Sequence, residues 1–449
     1  MIVMECRIFK RKIYNKLVDW KQRKNGSTAL LIKGARRVGK STIAEEFAKQ
    51  EYKTYIAVDF VKASKEVKDL FSDLDDLDYI FLRLQSIYGV KLYERQSVII
   101  FDEVQKCPEA RQAIKYLVAD GRYDYIETGS LLSIRKNILG IVIPSEETGI
   151  DMYPMDFEEF LWAIGDETSM SLIRYAFEKL KPLGDAAHRS LMKKFRLYML
   201  VGGMPQAVNE YLDTNNFEDV DQVKREIIQL YINDLRKIDE SWNASRIFES
   251  IPTELSRNKL RYEPGGIVKT GRNRLGDVWI DLEDSLTVNF SYKCSDPNVG
   301  MSLHKDCDSF RIFTGDTGLF VTLAFADKNA TENVIYNKLL TDSLSADLGY
   351  VYENVVAQSL KAAGHSLVYY TFPADAERKN YYEIDFMLSR GTKIIPIEVK
   401  SSGYRTHKSI DVFCEKYSNR TGRPVMLYTK DLRTENSMLY LPVYMASLL

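Results

Sequence analysis

The sequence predicts a multidomain α/β protein, and three observations predict it. Short apolar strands alternate with helical segments in the first third of the chain, the pattern of a parallel sheet with helical crossovers. A stretch from residue 157 to about 240 is then almost wholly helical, and alternating strands return after about 308. At 449 residues the chain is also too long for one ordinary hydrophobic core. The expected organisation is an α/β domain over 1–156, a helical lid or linker over 157–242, a winged-helix-like segment over 243–307 and a second α/β domain over 308–449.

In chain order, Ala29–Lys33 (ALLIK) reads as a strand ending at Gly34, with helix-forming STIAEEFAKQ starting at Ser41. Tyr55–Phe60 reads as a second strand, followed by polar helical sequence to about Gly89. Val98–Phe101 (VIIF) is a buried strand ending in Asp102-Glu103, and Tyr123–Glu127 is another ending at Thr128-Gly129-Ser130. A strand near Tyr153 leads into the helix DFEEFLWAIG. A turn at Gly202-Gly203-Met204-Pro205 interrupts the helical stretch. Helices near Ser245–Ser256 and Arg272–Leu286, then a strand TVNFSYKC, form the winged-helix-like pattern. A helix near Gly349–Ala363 precedes strands around Ser366–Thr371, Glu383–Leu388 and Lys393–Val399.

Composition sets bounds. The chain is 45% hydrophobic and 28% charged with a formal net charge of −1, so any nucleic-acid surface must be local rather than global. No segment reaches the roughly 18 uncharged apolar residues of a membrane span. The start, MIVMECRIFKRKIYNKL, lacks the continuous apolar core of a signal peptide. Five scattered cysteines (Cys6, Cys107, Cys294, Cys307, Cys414) fit free thiols in a reducing compartment. The expected location is the cytoplasm, with no membrane partner. Cys294 and Cys307 near His304 lack the close cysteine pair of a zinc site.

Gly34-Ala35-Arg36-Arg37-Val38-Gly39-Lys40-Ser41, followed by Thr42, has the spacing of a phosphate-binding loop. The glycines let backbone N–H groups curl around phosphate oxygens, Lys40 meets β/γ charge, and the Ser41 hydroxyl is a Mg²⁺ ligand. The following helix aims its N-terminus at the same phosphates. A chance turn is the competing explanation, but a strand before and a helix after favour ATP. Asp102, at the end of an apolar strand, is placed to hold Mg²⁺, and Glu103 to orient or deprotonate water. An ordinary acidic strand end is the alternative. The strand Tyr55–Phe60 between these motifs implies an extra strand between the two motif-bearing strands. Thr128 and Ser130 stand where a γ-phosphate sensor is expected, although either also suits a helix cap. Arg36 and Arg37 are expected to face outward, and Arg135 is a candidate arginine finger with no distinguishing feature.

A second constellation lies near the C-terminus. Asp385, then Glu398 and Lys400 on one strand face by period-two alternation, form a D-x12-E-x-K pattern on a hairpin. Asp385 and Glu398 would bind Mg²⁺ or Mn²⁺, Lys400 would position water and stabilise charge on a phosphate, and helical Glu353 would add an acid. Ser401-Ser402 leaves the remaining ligand open. Such a fold also persists as a scaffold without cutting.

Together GARRVGKS, IIFDEVQ, ETGSLLSIRKN, YPMDFEEFL, LVGGMPQAV, DTGL, YENVVAQ and EIDF…IEVKSS resemble, in order over nearly the whole chain, a family of bacterial and archaeal AAA-type ATPases. Its members join an N-terminal P-loop NTPase domain to a C-terminal domain of unknown function related to the restriction-endonuclease fold. The resemblance implies ATP binding, a winged-helix middle and a PD-(D/E)xK nuclease-like end.

Between Leu255 and Leu275, six basic residues (Arg257, Lys259, Arg261, Lys269, Arg272, Arg274) face one acid, Glu263, which suits a DNA or RNA backbone or a solvated face. The aromatics of YVYENV and HSLVYYTF are expected in the core. Three functions emerge: an ATP-driven, nucleotide-dependent homo-oligomeric switch on a nucleic-acid-processing domain, a signalling ATPase whose C-terminal fold docks a protein or nucleic-acid partner, or a nucleotide-binding regulator without hydrolysis.

Overall fold

A computed structural model describes residues 7–129, 144–257, 261–263, 275–326, 333–341, 349–375 and 380–449. Ser130, Arg135, Lys259, Lys269, Arg272 and Arg274 lie outside the described residues. The chain forms two compact units, one ending at Tyr153 and one beginning at Pro154, with residues 284–286 grouped with the first.

The first unit is a five-stranded parallel sheet of β1 (Ala29–Lys33), β2 (Thr54–Asp59), β3 (Ser97–Asp102), β4 (Asp124–Gly129) and β5 (Glu147–Asp151), in the order β2-β3-β4-β1-β5. β1 matches the predicted strand residue for residue, and the helix after it, Lys40–Glu51, begins one residue early. An extra strand does lie between β1 and β3, but it is β4. The strand expected there, Tyr55–Phe60, is β2 at the sheet edge. Burial explains the placement: β2 is only partly buried, as an edge strand is, whereas all six β4 residues are buried. Phe60, Phe71 and Phe101 pack with centroids 5.2–5.9 Å apart in the core on one face of this sheet.

The second unit opens with the predicted helical stretch: Phe157–Ala163, Ser169–Lys179, Asp185–Val201, Pro205–Thr214 and Phe217–Ile238. YPMDFEEFL is a capping box. Asp156 accepts the Glu159 N–H at 3.0 Å, and the Glu159 carboxylate accepts the Asp156 N–H at 3.2 Å, satisfying two orphan donors of the first turn.

Two other motifs prove to be one packing device. Asp316 accepts N–H bonds from Gly203 at 2.6 Å and Leu319 at 2.9 Å, tying the GGMP turn to the start of the helix Thr317–Ala324. The backbones touch here: a Cβ on Gly318 would lie 2.5 Å from the Gly202 Cα and 2.6 Å from the Val201 carbonyl oxygen. Gly318→Ala must therefore displace main chain, and an overpacking loss of about 1–3 kcal/mol is expected, read as a lower denaturant midpoint at unchanged slope.

The rest of this unit holds two sheets. β6 (Val288–Cys294), β7 (Lys305–Thr314), β8 (Val368–Pro373) and β9 (Tyr381–Ile384) run in the order β7-β6-β8-β9. β10 (Phe386–Arg390), β11 (Lys393–Lys400), β12 (Val425–Tyr428), β13 (Arg433–Glu435) and β14 (Met438–Pro442) run β10-β11-β12-β14-β13. The helices Asn243–Ser256 and Gly276–Asp284 precede the β6–β7 hairpin. That hairpin continues into β8 through a parallel pairing, so the boundary expected at 307/308 falls inside β7. The one strand expected over Glu383–Leu388 is two, β9 and β10, in different sheets, with Asp385 at the break. Tyr352, Tyr369, Tyr370 and Phe372 are core residues, as expected, whereas Tyr350 of the same segment is only half-buried and lines a cavity.

Candidate functional site

The phosphate loop joins β1 to the helix Lys40–Glu51. Its geometry depends on two glycines. A Cβ at Gly34 would fall 2.4 Å from the Met152 carbonyl oxygen, so only glycine lets the chain beyond β5 pass this close. Gly39 has φ +98°, the left-handed turn that leads into the helix. Lys40 is buried, and its ammonium donates to the carbonyls of Gly34 at 3.0 Å and Ala35 at 2.9 Å. Burial pushes its pKa down, against the opposing pull of Glu103 and Asp102.

Three elements meet at one carboxylate oxygen. The Ser41 hydroxyl donates to Asp102 Oδ1 at 2.6 Å, and the Thr128 hydroxyl donates to the same atom. β4 lies between β1 and β3, which is why Thr128 reaches Asp102. A hydroxyl beside a carboxylate at a phosphate loop is the hard oxygen set that Mg²⁺ takes, so Ser41 and Asp102 fit that ion. Glu103 adopts a left-handed φ of +54°, its N–H donates to the Thr128 hydroxyl at 3.2 Å, and its carboxylate accepts from Gln105 at 2.5 Å. Gln105 thereby fixes the candidate base, a role that IIFDEVQ contains but that its spacing does not reveal.

Arg11 was not legible as a site residue. It donates to the Val38 carbonyl inside the loop at 2.8 Å and to the Tyr153 carbonyl at 2.6 Å. These two charge-assisted bonds hold the loop's back against the residue that ends the first unit. Arg11→Ala is expected to cost about 1.5–3 kcal/mol of stability and to weaken ATP binding, measured by thermal melting with and without nucleotide.

In the second unit a cavity of about 590 Å³ is lined by Glu353, Glu383, Asp385, Lys400, Arg311 and Ser401-Ser402, and by Arg261 and Tyr262. Three of the four sequence-predicted residues, Glu353, Asp385 and Lys400, thus share one cavity. Glu398 is buried next to it, paired with Lys400 at 2.8 Å, while its other carboxylate oxygen is buried with no hydrogen bond. The β10–β11 register pairs Phe386 with Ile397, which brings Asp385 level with Glu398 across the hairpin. The Asp385 carboxylate is anchored by the Val399 N–H at 2.8 Å. Arg257 is held by Glu254 at 2.6 Å.

Electrostatics in the cavity are dominated by burial of acids. Burial raises Glu353 to about 8, aided by Asp385 and opposed by Arg311. Burial raises Glu383 to about 7, with Arg311 opposing. Asp385 and Glu398 are also raised, chiefly by burial. Burial works against the Lys400 ammonium, yet Glu398, Asp385 and Glu353 outweigh it and hold its pKa above the ordinary value. Arg311 and Glu383 were not predicted as site residues; Arg311 lies over 40 residues from any of its acidic partners, beyond the reach of local pattern. Among the described residues no three Cys, His, Asp or Glu side chains converge as a preformed metal shell. Asp385 and Glu398, the latter with one buried carboxylate oxygen that makes no hydrogen bond, still fit an ion such as Mg²⁺, which is commonly bound by one or two carboxylates plus water and substrate phosphate.

Cys107, Cys294, Cys307 and Cys414 are free, and no helix among the described residues is long and apolar enough to cross a membrane. Residues 192–330 and 348–445 match two family models, each described as a domain of unknown function (DUF8612 and DUF4143). No curated protein matches the chain. Among solved structures, a Walker-type ATPase of Pyrococcus abyssi is similar at 16% identity, over 72% of this chain and 99% of that one, with TM-score 0.43. A signal transduction ATPase with numerous domains from Pyrococcus horikoshii is similar at 13% identity, over 80% of this chain and 46% of that one, with TM-score 0.30. The RuvB Holliday junction branch migration motor of Thermotoga maritima is similar at 13% identity, over 60% of this chain and 82% of that one, with TM-score 0.27. Likenesses this distant carry no functional weight. Residues 26–161, however, match the family model of the AAA domain, and with the phosphate loop, Asp102 and Thr128 meeting at one point they form an AAA-type P-loop ATPase domain.

Proposed function

We propose that the chain is an ATP-hydrolysing, cytoplasmic switch whose C-terminal nuclease-like domain takes a divalent cation and acts on DNA or RNA. The observation that supports hydrolysis most is the convergence of Ser41 and Thr128 on Asp102. When phosphate arrives, the Lys40 ammonium exchanges its two loop carbonyls for β/γ oxygens. Glu103, steadied by Gln105, accepts a proton from the attacking water, and Thr128 reports the γ-phosphate to β3. Mg²⁺ held by Ser41 and Asp102 supplies charge neutralisation on the triphosphate. In a nucleotide-dependent homo-oligomer Arg36 and Arg37 would face a neighbouring copy.

For the C-terminal cavity, supporting observations are the shared lining by Glu353, Asp385 and Lys400 and the orphan oxygen of Glu398. Asp385 and Glu398 would hold Mg²⁺ or Mn²⁺, which supplies Lewis-acid polarisation of a phosphate oxygen. Lys400 orients water and offsets charge on the phosphate, Glu353 gives or takes a proton, and Arg261 at the rim meets the nucleic-acid backbone. A second reading, a docking domain that binds a partner without cutting it, draws support from Arg311 already pairing with two of the acids.

Phosphate release measured with and without DNA and RNA separates the two. Stimulation together with Mg²⁺- or Mn²⁺-dependent cleavage supports the switch. Turnover indifferent to every nucleic acid, with no cleavage, would leave only the docking reading.

A further inference from the structure

Arg311 is the most unusual charge in the cavity. It projects from β7, is only 8% exposed, and lies 5.2 Å from the Tyr369 ring centroid, within cation–π range. From there it pairs with Glu383 on β9 and lies 3.8 Å from Glu353 on the helix Gly349–Ala362. Two of the four acids are thus engaged by a permanent cation of the protein itself, which stays protonated at any physiological pH. The other two, Asp385 and Glu398, sit on the β10–β11 hairpin, where Asp385 accepts the Val399 N–H and meets the Glu383 carboxyl, and Glu398 pairs with Lys400.

Charge balance points the same way. The acids outnumber the cations: Glu254, Glu353, Glu383, Asp385 and Glu398 stand against Arg261, Arg311 and Lys400. That excess of acid favours a divalent cation. A second ion would have to displace a guanidinium buried beside an aromatic ring, at the cost of an unpaired buried charge. We infer that Arg311 occupies the place of a second cation, so the C-terminal cavity binds one divalent ion, on Asp385 and Glu398, and not two. This rests on the metal-dependent reading of the cavity given above. Arg311 acts as a positioning residue: it keeps Glu353 and Glu383 as its own ion-pair partners and so fixes the ion's number.

The test is Mn²⁺ binding to nucleotide-free, full-length protein, followed by electron paramagnetic resonance of free Mn²⁺, with Asp385→Asn assigning which ions belong to this cavity. The expected result is one Asp385-dependent ion in the parent protein, one in Arg311→Lys, which keeps the charge, and two in Arg311→Gln, which frees both glutamates. Two Asp385-dependent ions in the parent protein would overturn the inference whether or not any variant folds. A single ion persisting in a folded Arg311→Gln protein would overturn it as well. No Asp385-dependent ion in the parent protein would instead remove the metal-dependent reading itself, so the two failures are distinct.

Discussion

Lys40→Ala is expected to weaken ATP binding and to slow ATP turnover on the order of 10²- to 10³-fold, from removing one preorganised charge at the transferring phosphoryl group. The ammonium is buried against the Gly34 and Ala35 carbonyls, and burial lowers its pKa. It is therefore a desolvated charge stationed where phosphate charge will develop, worth more there than in water. The same geometry makes the substitution mild for the fold, because alanine removes a charge that burial disfavours and leaves two carbonyls on a loop able to admit water. The expected pattern is an unchanged melting temperature without nucleotide and no rise when ATP is added, measured by thermal melting beside phosphate release. A melting point raised by ATP as much as in the parent protein would mean that Lys40 does not meet the phosphates.

Asp385→Asn is expected to reduce metal-dependent cleavage of DNA or RNA by about 10²-fold or more, comparable with loss of a principal charge-stabilising group. Asparagine keeps the shape and can still accept the Val399 N–H, so the hairpin is retained. What it loses is the negative charge that, with Glu398, would hold the cation. Lys400→Ala is expected to reduce cleavage similarly and to destabilise the domain too, since it leaves the buried Glu398 without its ion-pair partner. The measurement is cleavage of a panel of single- and double-stranded DNA and RNA with Mg²⁺ and Mn²⁺. Equal cleavage by the parent protein and Asp385→Asn would place the chemistry elsewhere.

The sequence made one class of feature plain. β1, the phosphate loop and the helix after it were legible because glycine spacing and an apolar run are local signals. The hairpin bearing Glu398 and Lys400 was legible because side chains alternate along a strand. What escaped depended on partners distant in the chain. β4 carries Asp124 and Glu127 and does not read as a central strand, yet Asp124 is satisfied by Arg95 at 2.9 Å and Tyr52 at 2.7 Å, and Glu127 lies 4.0 Å from buried Arg111. The break at Asp385 escaped because the apolar pattern runs straight through it while the backbone changes sheets. Arg11 and Arg311 escaped because a single arginine has no signature until its partners are placed. The LVGGMP and DTGL motifs were legible as resemblance only; their meaning, two turns packed backbone to backbone around Asp316, needed the fold.

The most direct test of the central claim is phosphate release by Glu103→Gln beside ATP binding by the same protein. Glu103 sits at a left-handed turn, held by Gln105 and Thr128 beside Asp102, a placement suited to activating water and not to gripping nucleotide. The account predicts ATP affinity close to that of the parent protein, with phosphate release slowed about 10²- to 10⁴-fold, the range of general acid–base assistance. Phosphate release at the parental rate would contradict it.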